Sequence, residues 1–346
     1  MPPHDARAIG AELARLSPDY RPTPLLDLPG LAQYLGVGQV LAKDEGRRAL
    51  GSFKSLGGTY AGLRALARHE GCDIAGLLAR PGHARPALIC ASDGNHGLAV
   101  AYAARLAGGA ARVFLHAGVP AWRADRIAQE GAEIVRVEGT YDDAVDAAAA
   151  AATRDPAILI ADTSADPADP VVADVMAGYG VMAAEIRDEF DATGAARPTH
   201  LFVQAGVGGL AAALAEGLGA WMAPPARIVV VEPEGVACVA AALESGQIVR
   251  LPGELETAAE MLSCGEASAP ALGILKACGA RAIRVSEAEL LTAPALLAGH
   301  GGPATSASGA TGLAGLARAA ADAAFGLDAE SRVLVILSEG PDRDAP

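Results

Sequence analysis

The feature that most constrains this fold is an alternation that begins near residue 87 and runs almost to the C-terminus. Short apolar runs read as strands at 87–91, 112–116, 133–137, 157–161, 200–204 and 227–232. Helical stretches follow them at 96–108, 121–130, 141–153, 174–190, 209–222 and 235–245. The tail repeats the scheme, with strands near 281–285 and 332–337 around helices at 286–298 and 308–323. Short strands separated by helices of about 10–15 residues specify a mostly parallel α/β sheet. Such sheets bind ligands beyond the carboxyl ends of their strands. The residues directly after each strand are therefore the place to look for function.

The segment before residue 87 is less regular. Residues 7–16 read as a helix with Ile9, Leu13 and Leu16 on one face. Pro22-Thr23-Pro24-Leu25-Leu26 is extended, because proline bars a helix there. A short helix at 28–35 ends at Gly36, a strand occupies 40–43, and a helix covers 59–66. A chain of 346 residues is long enough for two lobes. The polar segment 163–173 reads as a loop and a lobe boundary. The alanine run 147–152 reads as helix, since alanine is a strong helix former.

Composition excludes several classes of function. A net charge of −14 argues against nucleic acid, which needs clustered lysine and arginine. No basic-then-apolar leader and no apolar run of transmembrane length is evident, so no membrane partner is expected. The five cysteines form no C-x-x-C pair, which suggests neither a zinc knuckle nor a disulfide framework and fits a reducing cytoplasm. The histidines show no metal-ligand spacing, and no metal is expected. Aromatic residues are only 4% of the chain, so the core is expected to be aliphatic.

The strand ends carry four notable groups. Lys54, in Gly51-Ser52-Phe53-Lys54-Ser55-Leu56-Gly57-Gly58, stands where a strand hands over to a helix N-terminus. Partial positive charge gathers there and weakens the ammonium form. Lys54 is thus either a solvated surface lysine or an amine nucleophile. Ser92-Asp93-Gly94-Asn95-His96-Gly97 is either an N-cap turn or a turn that holds a carboxylate, with Asp93 as base or charge partner. Ala205-Gly206-Val207-Gly208-Gly209-Leu210 lacks the G-x-G-x-x-G spacing and the Walker lysine, leaving a cradle for one phosphate. Asp162 is a helix cap or a ligand group, and Ser338 either faces a ligand or ends the last strand. A Schiff-base lysine beside a separate phosphate cradle is the inventory that pyridoxal phosphate requires.

These motifs, spread over nearly the whole chain, resemble the fold-type II (tryptophan-synthase-β-like) pyridoxal-phosphate enzymes, and within them the diaminopropionate ammonia-lyase branch. Tyr20-Arg21-Pro22-Thr23-Pro24-Leu25 is similar to the N-terminal segment of that branch. Ala42-Lys43-Asp44-Glu45 with the Lys54 motif resembles its cofactor-lysine region. Asp93 is the branch-specific sign, since threonine dehydratases usually carry a small residue there. Asp162-Thr163 with Met176-Ala177-Gly178-Tyr179-Gly180, and Gln204 to Gly208 with Ser338-Glu339-Gly340, are similar to further branch signatures. Departures lie at Ser164-Ala165-Asp166, Asp169-Pro170 and Ala307, where the branch usually has Ala-Trp with a glutamate and, at 307, a glutamate.

The resemblance implies a two-lobed, three-layer α/β fold with mostly parallel sheets. Residues 1–62 and 166–346 would form a large cofactor-binding domain, and 63–165 a small domain carrying the substrate-carboxylate loop. Pyridoxal 5'-phosphate would be held by Lys54, Phe53, Asn95, Gly206, Val207, Gly208, Gly209 and Ser338, with Asn95 on the ring hydroxyl and Ser338 on the pyridine nitrogen. Ser92, Asp93, Gly94, Asn95, His96 and Asp162 would bind a small amino acid. The implied reaction is α,β-elimination of 2,3-diaminopropionate to pyruvate and ammonia through a Lys54 Schiff base and aminoacrylate. Lys54 would take the Cα proton of an L-substrate and Asp93 that of a D-substrate, while Asp162 holds the β-ammonium. The alternatives are a serine or threonine dehydratase-like or β-replacing enzyme, and a catalytically silent cofactor-binding protein. By the same analogy the protein is a cytoplasmic homodimer.

Overall fold

The computed structural model of the protein describes residues 5–17, 20–80, 84–92, 94–154, 156–253 and 255–341. The described residues form the strands β1 (Leu25–Asp27), β2 (Gln39–Asp44), β3 (Ala87–Ala91), β4 (Ala111–His116), β5 (Glu133–Val137), β6 (Ala157–Leu159), β7 (His200–Gln204), β8 (Arg227–Pro233), β9 (Arg281–Val285) and β10 (Arg332–Leu337). They form a six-stranded sheet in the order β1-β2-β10-β7-β8-β9 and a four-stranded sheet in the order β5-β4-β3-β6. All pairs are parallel except β1 with β2 at one edge.

The apolar runs become strands because helices cover both sheet faces. In β10, Val333 to Leu337 are all buried, as is every residue of β7. Continuous apolar runs of this kind belong in the middle of parallel sheets. β1 follows Pro22 and Pro24 and sits at the edge, where missing amide donors are tolerated.

One helix joins the two sheets. Lys54–His69 packs on helix Asn95–Leu106 from the four-stranded side and on helix Pro170–Thr193 from the six-stranded side. Of its 16 residues, 12 are buried, so it is not a surface helix. Its glycines explain the tight fit. A Cβ at Gly57 would lie 2.3 Å from Tyr179 Cε1, and one at Gly178 would lie 2.6 Å from Gly57 Cα. Gly57 and Gly58 therefore serve helix packing.

Several boundaries differ from the sequence reading, each for a local reason. The helix expected at 59–66 starts at Lys54 itself. The loop expected at 163–173 already contains the start of a helix at Pro170, because Asp169 accepts from Val171 N–H at 2.8 Å and Pro170 takes the first turn. The strand expected to reach 161 ends at Leu159. The helix expected from 235 begins at Cys238, where the Glu232 carboxylate accepts the N–H groups of Val239 and Ala240 at 2.8 and 2.7 Å. Helices Ile74–Leu78 and Ala269–Ala277 were not anticipated. Among the described residues no helix is long and apolar enough to cross a membrane.

Candidate active site

The strand-end loops of both sheets meet around one cleft of about 840 Å³, its open mouth included. Phe53, Lys54, Ser92, Gly94, Asn95, His96, Asp162, Gly206 to Gly209 and Ser338 all line it. Asp93 lies outside the described residues.

Lys54 is the first residue of its helix, and its side chain is 20% exposed at the cleft floor. Its ammonium is hydrogen-bonded to Asp162, whose side chain is 11% exposed. Nζ also stands 5.5 Å from the centroid of the Phe53 ring and 5.9 Å from that of Tyr179. Burial works against the lysine's charge, but the Asp162 carboxylate outweighs it and raises the pKa above the ordinary lysine range. Burial likewise opposes the Asp162 charge, and the Lys54 ammonium outweighs it, holding that carboxyl below the usual range. The expectation of a weakened ammonium is thus overturned for this arrangement. The helix-end field is real, but a full carboxylate charge in contact is stronger.

The turn after β3 resolves its two readings residue by residue. The Ser92 hydroxyl accepts from Gly94 and Gly97 N–H at 3.0 and 2.8 Å, so Ser92 builds the turn as a cap. The N–H groups of Asn95 and His96 have no acceptor among the described residues, as donors at a helix N-terminus often lack one within the helix. His96 Nε2–H donates to the Ile160 carbonyl at 2.7 Å, and burial lowers its pKa, which keeps the ring neutral. The Asn95 amide donates to Glu339.

The glycine turn after β7 has the form of an anion cradle. Helix Gly209–Leu218 starts without a side-chain cap, and the N–H groups of Gly206 to Gly209 have no acceptor among the described residues. Gly208 has φ +97°, and a Cβ there would press on Val239 at 3.2 Å. Ser338 Oγ accepts from Gln204 Nε2 at 2.8 Å, which leaves the hydroxyl proton free to be donated.

Among the described residues, three buried polar atoms on this cleft find no hydrogen-bond partner: His96 Nδ1, Tyr179 Oη and Gln204 Oε1. Orphaned polar groups are costly in a protein interior. Their gathering on one cleft, with a phosphate-sized nest of free N–H groups and a lysine, fits pyridoxal phosphate.

Some lining residues carry no site role in the sequence reading, although Tyr179 and Glu339 stand in strings that resemble the branch. Tyr179 lies mid-helix, where no strand-end rule points. Met261 lies in the short 3₁₀ turn Glu260–Leu262 and Cys264 just after it, where no motif marks the sequence. Glu339 follows Ser338 directly, and the strand-end rule would have found it one residue further on. The departing segment 164–170 turns out to be capping structure. Asp166 accepts from Ala168 N–H at 2.9 Å, and Asp169 caps the helix carrying Tyr179.

The pyridoxal-phosphate dependent enzyme family matches residues 16–339 of the chain. The diaminopropionate ammonia-lyase of Salmonella typhimurium is 36% identical over 264 residues, 72% of this chain and 65% of that protein. That of Escherichia coli strain K12 is 33% identical over 272 residues, 76% of this chain and 68% of that protein. The chain thus matches just under two thirds of the length of the Salmonella relative. The crystal structure of the Escherichia coli enzyme in complex with D-serine superposes with a TM-score of 0.89 at 29% identity, covering 99% of this chain and 91% of that one.

Proposed function

The chain belongs to the family of pyridoxal-phosphate dependent enzymes, with the fold-type II architecture and that cofactor, and from this premise we propose that it is an ammonia-lyase acting on 2,3-diaminopropionate. The observation that carries the reading is the Lys54–Asp162 ion pair at the cleft floor. A carboxylate beside the reactive amine is the partner that a second, β-amino group of the substrate would need. The relatives named above support the same substrate.

The cofactor, when bound, supplies a carbonyl carbon for amine exchange and an electron sink for the charge left at Cα. The chain's residues divide the remaining tasks. Lys54 anchors the cofactor, Phe53 packs beside that lysine, and the free N–H groups of Gly206 to Gly209 hold the phosphate. Asn95 and Ser338 hold the ring. The N–H groups of Asn95 and His96 orient the substrate carboxylate. Asp162 receives the β-ammonium. That arrival takes away the carboxylate's hold on Lys54, lowers the lysine's affinity for its proton, and readies the amine to act as base at Cα of an L-substrate. Asp93 is the proposed base for a D-substrate. Loss of the β-amine as ammonia, followed by hydrolysis with one water, yields pyruvate and a second ammonia.

We read residues 1–62 and 166–346 as the cofactor-binding domain and 63–165 as the substrate-side domain, in a cytoplasmic homodimer. The first test is pyruvate release by the cofactor-loaded enzyme from each enantiomer of 2,3-diaminopropionate. Release from neither sinks the proposal. Asp162→Asn is expected to cut turnover of diaminopropionate by about 10²-fold or more and that of serine far less, because only the former leaves as an amine. Equal losses would favour a hydroxyl-eliminating enzyme instead.

A further inference from the structure

Glu339 is pinned by its backbone before its side chain is considered. Phe53 N–H donates to the Ser338 carbonyl at 3.1 Å, and Gly340 N–H to the Gly51 carbonyl at 3.0 Å. Thr305 Oγ1 donates to the Glu339 carbonyl at 2.6 Å. The residue therefore hangs from the loop that carries Lys54. It is 8% exposed and lines the cleft. One carboxylate oxygen accepts from Ser306 Oγ and the other from Asn95 Nδ2. Ser306 caps helix Ala307–Ala320 on the six-stranded side, whereas Asn95 begins the helix after β3 of the other sheet. The carboxylate thus clasps the two sides across the cleft.

Its chemistry does more than tie them. Both carboxyl oxygens act as acceptors here. The Asn95 side chain therefore turns its NH₂ toward Glu339, because the flipped amide would set Oδ1 against an accepting oxygen. One amide N–H is then committed, and the second is the donor that Asn95 can offer the cleft.

We infer that Glu339 is a positioning residue that locks Asn95 in the single amide orientation able to donate to the ring oxygen of the bound cofactor. This inference rests on the cofactor reading above and goes beyond it by assigning control of Asn95 to the opposite sheet's carboxylate. A purely structural Glu339 would affect folding; a positioning Glu339 also affects the electronic state of the cofactor.

The test uses holoenzyme carrying Glu339→Gln, Asn95→Ala or both, with the visible absorption band of the bound cofactor followed against pH. Glu339→Gln keeps the shape but accepts either amide orientation. It is expected to move the midpoint of the spectral change by about one pH unit, a tenfold change in the proton equilibrium. Asn95→Ala should move it in the same direction and at least as far. The double variant should move it no further than Asn95→Ala alone. Wild-type behaviour of Glu339→Gln beside a shifted Asn95→Ala overturns the inference, and so do additive shifts. A normal band that neither variant moves overturns it while leaving the cofactor reading intact. A wild-type protein that shows no band with added pyridoxal phosphate overturns both. Should Glu339→Gln fail to fold, Ser306→Ala removes one donor that holds the carboxylate. A smaller shift in the same direction supports the inference, and an unmoved midpoint overturns it.

Discussion

Two sets of buried charges lie on either side of the Lys54 loop, and they are built on opposite plans. The first is closed. Lys43, Arg48, Glu45 and Glu185 are each at most 7% exposed. Arg48 reaches both Glu45 oxygens at 2.7 and 2.8 Å and both Glu185 oxygens at 2.7 Å. Lys43 Nζ meets Glu185 and the Thr23 carbonyl at 2.7 Å each, and Tyr20 adds a hydrogen bond to Glu185 at 2.8 Å. Two cations face two anions, and none of these groups is left unpartnered. The second set is open. Lys54 and Asp162 pair with each other, and around their cleft His96 Nδ1, Tyr179 Oη and Gln204 Oε1 remain unsatisfied. A network that has met every bond within the protein holds the strand β2 to the helix Pro170–Thr193. A network with bonds still to make is a binding site.

This contrast can be broken by measurement. The largest effect is expected from Glu185→Ala, which strands Lys43 and Arg48 without their shared anion. Removing one partner of a buried ion pair costs about 3–5 kcal/mol, to be read from denaturant unfolding. A loss below about 1 kcal/mol would show that the closed cluster is not a structural anchor.

A smaller and pH-dependent effect is expected at the open site. The Asp162 carboxyl is held below its ordinary value chiefly by Lys54, against the pull of burial. Its contribution to stability is therefore complete above its unfolded pKa of about 3.9 and is lost as pH falls through the lower folded value. Lys54 is raised, so its share is complete below an unfolded pKa of about 10.4 and is lost as pH rises through the folded value. The stability gap between the wild type and Asp162→Asn should stay flat from about pH 5 to about pH 9 and narrow below about pH 4. A gap that instead widens on acidification would reverse the assigned sign.

The smallest effect on stability is expected from Tyr179→Phe. The Tyr179 hydroxyl is buried with no close hydrogen bond among the described residues, and burial, opposed by the nearby Lys54 ammonium, pushes its pKa up to about 12, so it stays neutral. Deleting an unsatisfied group should leave thermal unfolding unchanged or raise stability by up to about 1 kcal/mol. A loss larger than that would place Tyr179 with the closed cluster.

Fold class and the neighbourhood of the site are legible along the chain. Apolar runs with helices between them specify parallel strands, and parallel strands put their carboxyl ends on one side. That rule alone pointed to Ser92–Gly97, Asp162, Gly206–Gly209 and Ser338, and of these the structure gathers Ser92, Gly94, Asn95, His96, Asp162, Gly206–Gly209 and Ser338 on one cleft. It was silent on Tyr179, because a residue in mid-helix reaches the cleft only through the packing of Gly57 on Gly178. It misjudged the Lys54 ammonium, because the decisive charge lies 108 residues away on the other sheet. Which way the Asn95 amide faces was likewise decided by a partner brought from elsewhere. Periodicity and turn chemistry act over a few residues and so can be read along the chain. Charge state and hydrogen-bond direction depend on which atoms meet, and only the docking of the two sheets around one helix settles that.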